Sequence, residues 1–387
     1  MPKNSYVPLI WDNQKNIVWK TPIHGIGWSS PVIFGNQIWT TTATEDGKKM
    51  YAVCLDFETG GMIHDILLFE PDTVYRKHSI NTYATPTPCI EKGFVYIHFG
   101  RYGTSCLNTK TGKTVWERND LECSHVQGPG SSPIIYKDLL ILHYEGSDVQ
   151  YIIALDKKTG KTVWKIHRPG ELYETLDPVG RKAYITPIIV NVKGKDYLIS
   201  NGSAVCIAYD PETGKEIWRI VKGEDSTISM PVAEDGFVYF YTGFTGTPDG
   251  GRYAELLAVN PDGEGDIAET NILWRMETPV LQLLTPLIKD GLLYTVNTRS
   301  MMQCIDAKTG EIIWLQNVRG KFNASPVYSN GYLYFPSQNG NTLVIEEGRE
   351  YKLVADNQLE GQIWATPAIS GNSIFIRTSE YLYRIGK

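Results

Sequence analysis

One nine-residue pattern, Asp-x-x-Thr-Gly-Lys-x-x-Trp, returns along this chain, and self-similarity of that kind constrains a fold more than any local motif. It stands complete at residues 156–164 and 210–218 and with one change each at 108–116 and 306–314. Residues 56–64 keep Thr59-Gly60 but put His64 where Trp is expected. Residues 260–274 hold an insertion, and residues 345–354 have lost the pattern.

A second element is Ser/Thr-Pro, a few apolar residues, a turn and an aromatic-rich strand. Its prolines are Pro31, Pro88, Pro133, Pro187, Pro231, Pro286, Pro326 and Pro367, spaced by 57, 45, 54, 44, 55, 40 and 41 residues. Eight prolines predict eight units. Each reads as four short strands bounded by Gly, Asn and Pro. In the seventh they run through Tyr332-Leu-Tyr-Phe335, Thr342-Leu-Val-Ile345 and Tyr351-Lys-Leu-Val354. Asp and Thr-Gly build a turn, Asp by accepting from backbone amides and Gly by taking positive φ. The Trp that follows is a large wedge between neighbouring sheets. The chain stops after a third strand, Tyr381-Leu-Tyr-Arg-Ile385, and starts with an orphan fourth, Asn16-Ile-Val-Trp19. Pairing the two closes a ring and removes two open edges. The expectation is all-β: an eight-bladed β-propeller of four-stranded blades, one domain over residues 1–387.

Composition agrees with a folded, strand-rich chain. Aromatic content is 11%, with 23 Tyr and 10 Trp, and 36 Gly supply turns. The net charge of −6 is spread without a basic block, so no nucleic-acid partner is expected. No apolar run reaches the ~18–20 residues of a spanning helix. Met1-Pro-Lys-Asn-Ser5 lacks the layout of a signal peptide, which fits a cytoplasmic protein or one whose leader was trimmed. Cys54, Cys106 and Cys304 share a repeat slot that Ala154 and Ala208 fill elsewhere, and with Cys89, Cys123 and Cys206 they form no CxxC pair. They read as small core residues with free thiols.

With the repeat in view, the chain resembles proteins with pyrroloquinoline-quinone-like propeller repeats from Ile17 to Ile385. Those include quinoprotein alcohol dehydrogenases and the outer-membrane assembly lipoprotein of Gram-negative bacteria. Trp19-Lys-Thr-Pro, Trp28-Ser-Ser-Pro31, Tyr83-Ala-Thr-Pro86, His98-Phe-Gly100 and Gly128-Pro-Gly-Ser-Ser-Pro133 resemble an exported subgroup abundant in Planctomycetes and Bacteroidetes. The resemblance implies a periplasmic or extracellular protein. Quinone dehydrogenases of the family share adjacent cysteines, a Trp under the cofactor and a Glu/Asn/Asp calcium set. This chain has no adjacent cysteines and no CxxCH, so no cofactor is expected.

In a propeller, the outer-to-inner connections and the loops joining second and third strands open on one face. The long ones here are residues 65–85, 166–186 and 243–253, and long loops are often functional. They and their neighbours gather His78, Asn81 and Tyr83; Arg101 after the His98 strand; and His125 and Gln127. Asp148 and Gln150 follow His143, and Arg181, Lys182 and Tyr184 precede Pro187. Trp28 and Trp364 stand at the inner entrances of their blades. His98 and His143, inside strands, read as packed residues. The candidate catalytic set is His125, Tyr184, Arg181 and Lys182: Tyr or His to move a proton, Arg to neutralise a carboxylate. The candidate ligand-binding set is Trp28, Asn81, Tyr83, Arg101, Gln127, Asp148, Gln150 and Trp364. No metal ligands are assigned. Asp262-Gly-Glu-Gly-Asp266 lacks the spacing of a calcium loop and reads as a solvated hairpin.

The leading expectation is an exported, monomeric propeller that binds a carbohydrate or a protein partner on its loop face, without quinone. One alternative is a carbohydrate-active lyase or hydrolase using the His/Tyr/Arg set. The other is a small quinoprotein dehydrogenase.

Overall fold

A computed structural model describes residues 6–223, 227–246, 251–278 and 283–386. Eight sheets, each built on four antiparallel strands and two of them carrying a further two-residue strand, follow one another as blades of a ring. The first blade is Val32–Phe34, Gln37–Ala43, Met50–Asp56 and Met62–Phe69. The eighth is Ala368–Ser370, Ser373–Arg377 and Tyr381–Ile385, completed by Ile17–Pro22 from the other end of the chain. Ile17 pairs with Ile385 and Trp19 with Arg384, as the orphan-strand reading requires.

The repeat is a docking device between blades. Asp156 Oδ1 accepts from the backbone of Lys158 and Thr159 and from the Thr159 hydroxyl, which folds the turn between third and fourth strands. Gly160 then takes φ 71° and lies against the indole of Trp116 in the preceding blade. Trp116 Nε1 donates to the carbonyl of Lys157 in that same turn, at 2.9 Å. Trp19 binds Phe57, Trp218 binds Pro261 and Trp274 binds Ala307 in the same way, and His64 reaches Thr109. On its own ladder each wedge faces a small residue: Trp116 faces Cys106, Trp164 faces Ala154, Trp218 faces Ala208 and Trp314 faces Cys304. This accounts for the cysteine slot, and all six thiols are free. A Cβ on Gly160 would stand 2.7 Å from the Trp116 ring. Gly160→Ala is therefore expected to cost about 2 kcal/mol, from strained φ and overpacking together, read as a lower urea midpoint at unchanged slope.

The Ser and Thr of the Ser/Thr-Pro element have a role that composition did not reveal. The amide of Ser30 donates to Thr87 Oγ1, that of Thr87 to Ser132 Oγ, and that of Ser132 to Thr186 Oγ1. The chain resumes from Met230 to Thr285, Thr285 to Ser325 and Ser325 to Thr366. These bonds, 2.9–3.1 Å long, tie the inner entrance of one blade to the next around the rim. Met230 has no hydroxyl, which accounts for the break between Thr186 and Met230.

Two elements differ from the sequence reading. In the seventh blade the outer strands are Asn341–Glu346 and Leu353–Gln358, and a bulge puts Ala355, not Val354, opposite Val344 in the wedge position. The missing wedge comes from elsewhere: Trp11 stacks on Tyr334 at 6.1 Å, the centroid distance at which Trp274 meets Tyr239 and Trp314 meets Tyr294. Its segment is pinned by Trp11 N on Asn357 Oδ1 and Asn357 Nδ2 on Leu9 O. Trp11→Ala should cost about 3 kcal/mol, the low end for a buried Trp, because its Nε1 finds no partner among the described residues; a thermal melt checks it. Second, Gly265–Asp266 is not a free hairpin. It adds a fifth, parallel strand to the fourth blade beside Trp218 and Arg219. Covering that edge leaves Trp218 fully buried, as edge protection predicts.

Candidate functional site

Antiparallel blades put the outer-to-inner connections and the second-to-third loops on one face. At that end of the second strands, one slot holds Thr41, His98, His143, Asn201, Tyr241, Val296, Pro336 and Arg377 in successive blades. These positions lie two residues beyond those that face the cysteine/alanine slot and its equivalents. All eight are buried. The slot is polar from the eighth blade round to the fifth and apolar in the sixth and seventh. Buried polar groups require partners, and these draw the surrounding loops inward.

The connections over the first four blades are stitched into an arc. Asn81 Nδ2 donates to the carbonyls of Gln127 and Pro129, and the His78 amide also donates to Gln127 O. The Gln127 amide donates to Tyr184 Oη at 3.2 Å, and the Tyr184 amide donates to Thr227 O. Asn81, Gln127 and Tyr184 thus come together, with His125 two residues from the Tyr184 contact. His125 stacks on Tyr144 at 5.9 Å, and its Nδ1 is 3.7 Å from Cys123 Sγ. Its Nε2 is buried without a hydrogen bond. Burial, then the charge of Arg101, pulls its pKa down to about 4. Neighbouring His98 is lowered to about 3 by burial and then by His125. Both rings are neutral at physiological pH, and so weak a base is poorly matched to proton abstraction there.

The remaining predicted residues fall into local roles. Arg181 donates Nε to Leu176 O within its own loop, and Lys182 is buried with Nζ on Val179 O. Asp148 Oδ1 accepts from the amides of Ser124 and Val149, and Gln150 Nε2 donates to Gly146 O. Tyr83 is buried with its hydroxyl on Tyr75 O. The Arg101 guanidinium lies 3.7 Å above the Tyr75 ring. Trp28 and Trp364 stack on each other at 5.0 Å and 13°. Of the long second-to-third loop at 243–253, residues 247–250 lie outside the described residues.

Sequence reasoning missed a buried charge cluster between the third and fourth blades. Glu145 meets His143 Nε2 at 2.9 Å and Arg168 Nε at 3.2 Å, all with side chains fully buried. Tyr173 Oη donates to Glu145 Oε1 at 2.6 Å, and the Ser203 amide donates to it at 2.8 Å. Burial pushes the Glu145 carboxyl up, but Arg168, His143 and Tyr173 outweigh it and bring the pKa to about 2. Gly202 makes room: a Cβ there would sit 2.4 Å from Glu145 Oε2. The only sequence signal was the polar slot itself, visible once the blades are aligned.

The cysteines do not fit the quinone site of the family's dehydrogenases. No two cysteines are adjacent in sequence, and three of the six, Cys54, Cys106 and Cys304, face the wedge position of their own blades. No group of three His, Cys, Asp or Glu side chains is arranged to hold a metal among the described residues. Among the described residues no helix is long and apolar enough to cross a membrane.

Comparison with known proteins places these features among relatives. The sequence model of the family described as "Outer membrane protein assembly factor BamB" matches residues 10–167, 148–266 and 258–350. Tetrathionate hydrolase of Acidithiobacillus ferrooxidans is 20% identical, over 76% of this chain and 70% of its own length. Outer membrane protein assembly factor BamB of Moranella endobia is 24% identical, over 50% of this chain. The chain spans about half of that relative, 49%. The crystal structure of BamB from Moraxella catarrhalis superposes with a TM-score of 0.65 at 12% identity, over 95% of this chain and 99% of that one. At that identity the superposition shows the fold.

Proposed function

Because this chain belongs to the family of the outer membrane protein assembly factor BamB, we propose that it is an exported binding propeller that seats a protein partner on the connections over its first four blades. The observation that carries this reading is a set of exposed apolar side chains, Tyr75, Ile80, Val126 and Val179, on connections that the Asn81–Gln127–Tyr184–Thr227 arc ties together. Tyr75 carries the Arg101 guanidinium on its ring, and Tyr and Arg are the residue types that anchor protein interfaces. A preformed surface binds without paying for loop ordering. The sugar platforms expected at Trp28 and Trp364 are closed on one another, which favours protein over carbohydrate.

A photo-crosslinking residue at position 126, used in cells of the source organism, is expected to give a protein adduct of discrete mass. Ile80→Asp should weaken the interaction about 30-fold, the scale of one interface anchor. Val163→Asp, on an outer strand of the third blade, should leave it intact. No protein adduct, together with a thermal shift from an acidic oligosaccharide, would replace this reading with the carbohydrate one.

The second reading is a hydrolase or lyase, favoured by the likeness to tetrathionate hydrolase across 76% of the chain. It would use His125 and Tyr184, with Arg181 and Lys182 on the same connection as Tyr184. Turnover abolished by His125→Gln and by Tyr184→Phe, in protein that still melts cooperatively, is its test.

A further inference from the structure

Residues 6–16 run across the seventh and eighth blades without becoming a strand of either. The Tyr6 amide donates to Asn372 Oδ1 in the first turn of the eighth blade, at 3.0 Å. Tyr334 Oη donates to Val7 O, and the Glu360 amide donates to Asn13 Oδ1. Asn16 takes φ 62°, its Nδ2 donates to Ile10 O at 2.7 Å, and its carbonyl accepts from the Gly386 amide. The segment is thus pinned at both ends. Between it and the Ser329–Tyr332 end of the seventh blade's first hairpin lies an open cleft of about 470 Å³.

Its walls are largely apolar: Tyr6, Pro8, Leu9 and Ile10 from the segment and Tyr332 from the blade. Small-molecule sites are of this kind, roughly 300–1,000 Å³ of mostly apolar lining with a few placed polar groups. Tyr6 and Ile10 are 63% and 52% exposed, so a ligand seated here removes apolar surface from water. Loosely held water leaves such walls at little cost. The one charged residue of the lining is Lys15. It makes no ion pair among the described residues, and Asp12 of the same turn gives its Oδ1 to the amides of Gln14 and Lys15 instead. A solvated lysine needs no counter-ion. Beside an apolar cleft, however, it sets the sign of charge that an occupant can carry.

We propose that this cleft is a binding site for a small apolar monoanion, its body between Tyr332 and the Tyr6–Ile10 wall and its charge at Lys15. A cationic ligand would meet Lys15 with no carboxylate of the lining to answer it. The first-to-second turns of the blades open on the face opposite the second-to-third loops. The site is therefore separate from the Tyr75–Ile80–Val126 surface and does not rest on the partner reading. A ligand held between segment and blade also holds Trp11 in the seventh blade, so binding stabilises the fold.

The probe is 2-naphthoate, rigid and fluorescent, titrated into the full chain at constant low ionic strength. Its fluorescence anisotropy is expected to rise saturably, and the melting temperature of the protein with it. Naphthalene-2-sulfonate, of the same chemistry, should compete. The uncharged 2-naphthamide should bind about fivefold more weakly, the scale of an exposed ion pair, and acetate should not compete. Lys15→Met should bring naphthoate down to the affinity of naphthamide, and Lys15→Arg should restore it. Ile10→Ser, which removes part of the apolar wall, should cost about fivefold. Lys15 and Ile10 are both exposed, so these variants are expected to fold. The proposal is overturned by absence of a saturable response, by equal affinities for naphthoate and naphthamide, or by Lys15→Met binding as the unaltered chain does. A dimer in sedimentation that naphthoate neither binds nor dissociates would give the cleft to a second copy of the chain, and overturns it as well.

Discussion

Between pH 6.5 and 5 the protein is expected to lose about 3 kcal/mol of stability, at a slope that approaches 1.4 kcal/mol per pH unit for each of two histidines. His98 and His125 are buried and neutral in the folded ring, with pKa values lowered to about 3 and about 4. Unfolded, each takes up a proton near pH 6.5. The unfolded state therefore binds more protons throughout the window. Stability is fully present above pH 6.5 and falls as the pH drops toward the folded values. Burial lowers His143 as well, although the Glu145 carboxylate opposes that shift. Carboxylates such as Glu145, at about 2, act in a more acidic window and do not confuse this one. Urea midpoints measured from pH 8 to 5 check the slope, and His98→Asn with His125→Asn should flatten it. A profile already flat in the unaltered protein would mean that these rings are solvated.

Glu145→Ala is expected to destabilise the fold by about 3–5 kcal/mol, because it leaves the Arg168 charge buried and unanswered between the third and fourth blades. The carboxylate also receives the Tyr173 hydroxyl and the Ser203 amide, so the substitution strands two more donors. Removing both charges should hurt less than removing one. The double variant Glu145→Ala with Arg168→Met is expected to be more stable than Glu145→Ala alone, giving a coupling term in a double-mutant cycle. Denaturant unfolding of the four proteins measures it. Simple additivity would show that the 3.2 Å contact does not couple the two side chains.

What could be read from the chain was whatever repeats. Asp-x-x-Thr-Gly and Trp recur because each blade must make the same turn and present the same wedge, so eight blades and the closing strand followed from counting. Non-repeating devices were hidden for the same reason. Trp11 precedes the first repeat and gave no sign that it fills a gap in the seventh blade. The run Asp262-Gly-Glu-Gly-Asp266 showed turn chemistry, but its pairing with Trp218 belongs to a neighbouring blade. The loop residues were gathered by chemistry, and the fold brings Asn81, Gln127 and Tyr184 together through backbone atoms that no side-chain pattern reports. Glu145 and Arg168 stand 23 positions apart in different loops. Their pairing needed the blade register.

Closure by Ile17–Pro22 against Tyr381–Ile385 has a consequence for how the protein is made. Of the strands in the ring, the first to be made pairs with the last. The 358 residues from 23 to 380 must be translated between them, which at ~5–20 residues per second takes on the order of 20–70 s. Through that interval the nascent chain holds Trp11 and Trp19 out of any finished blade, while seven sheets have all of their own strands to fold with. The ring waits on its final five residues, and until they emerge its leading end is a sticky strand in search of an edge. A shielding factor acting on this chain would act there, on the first strand of the ring, until the last strand is made.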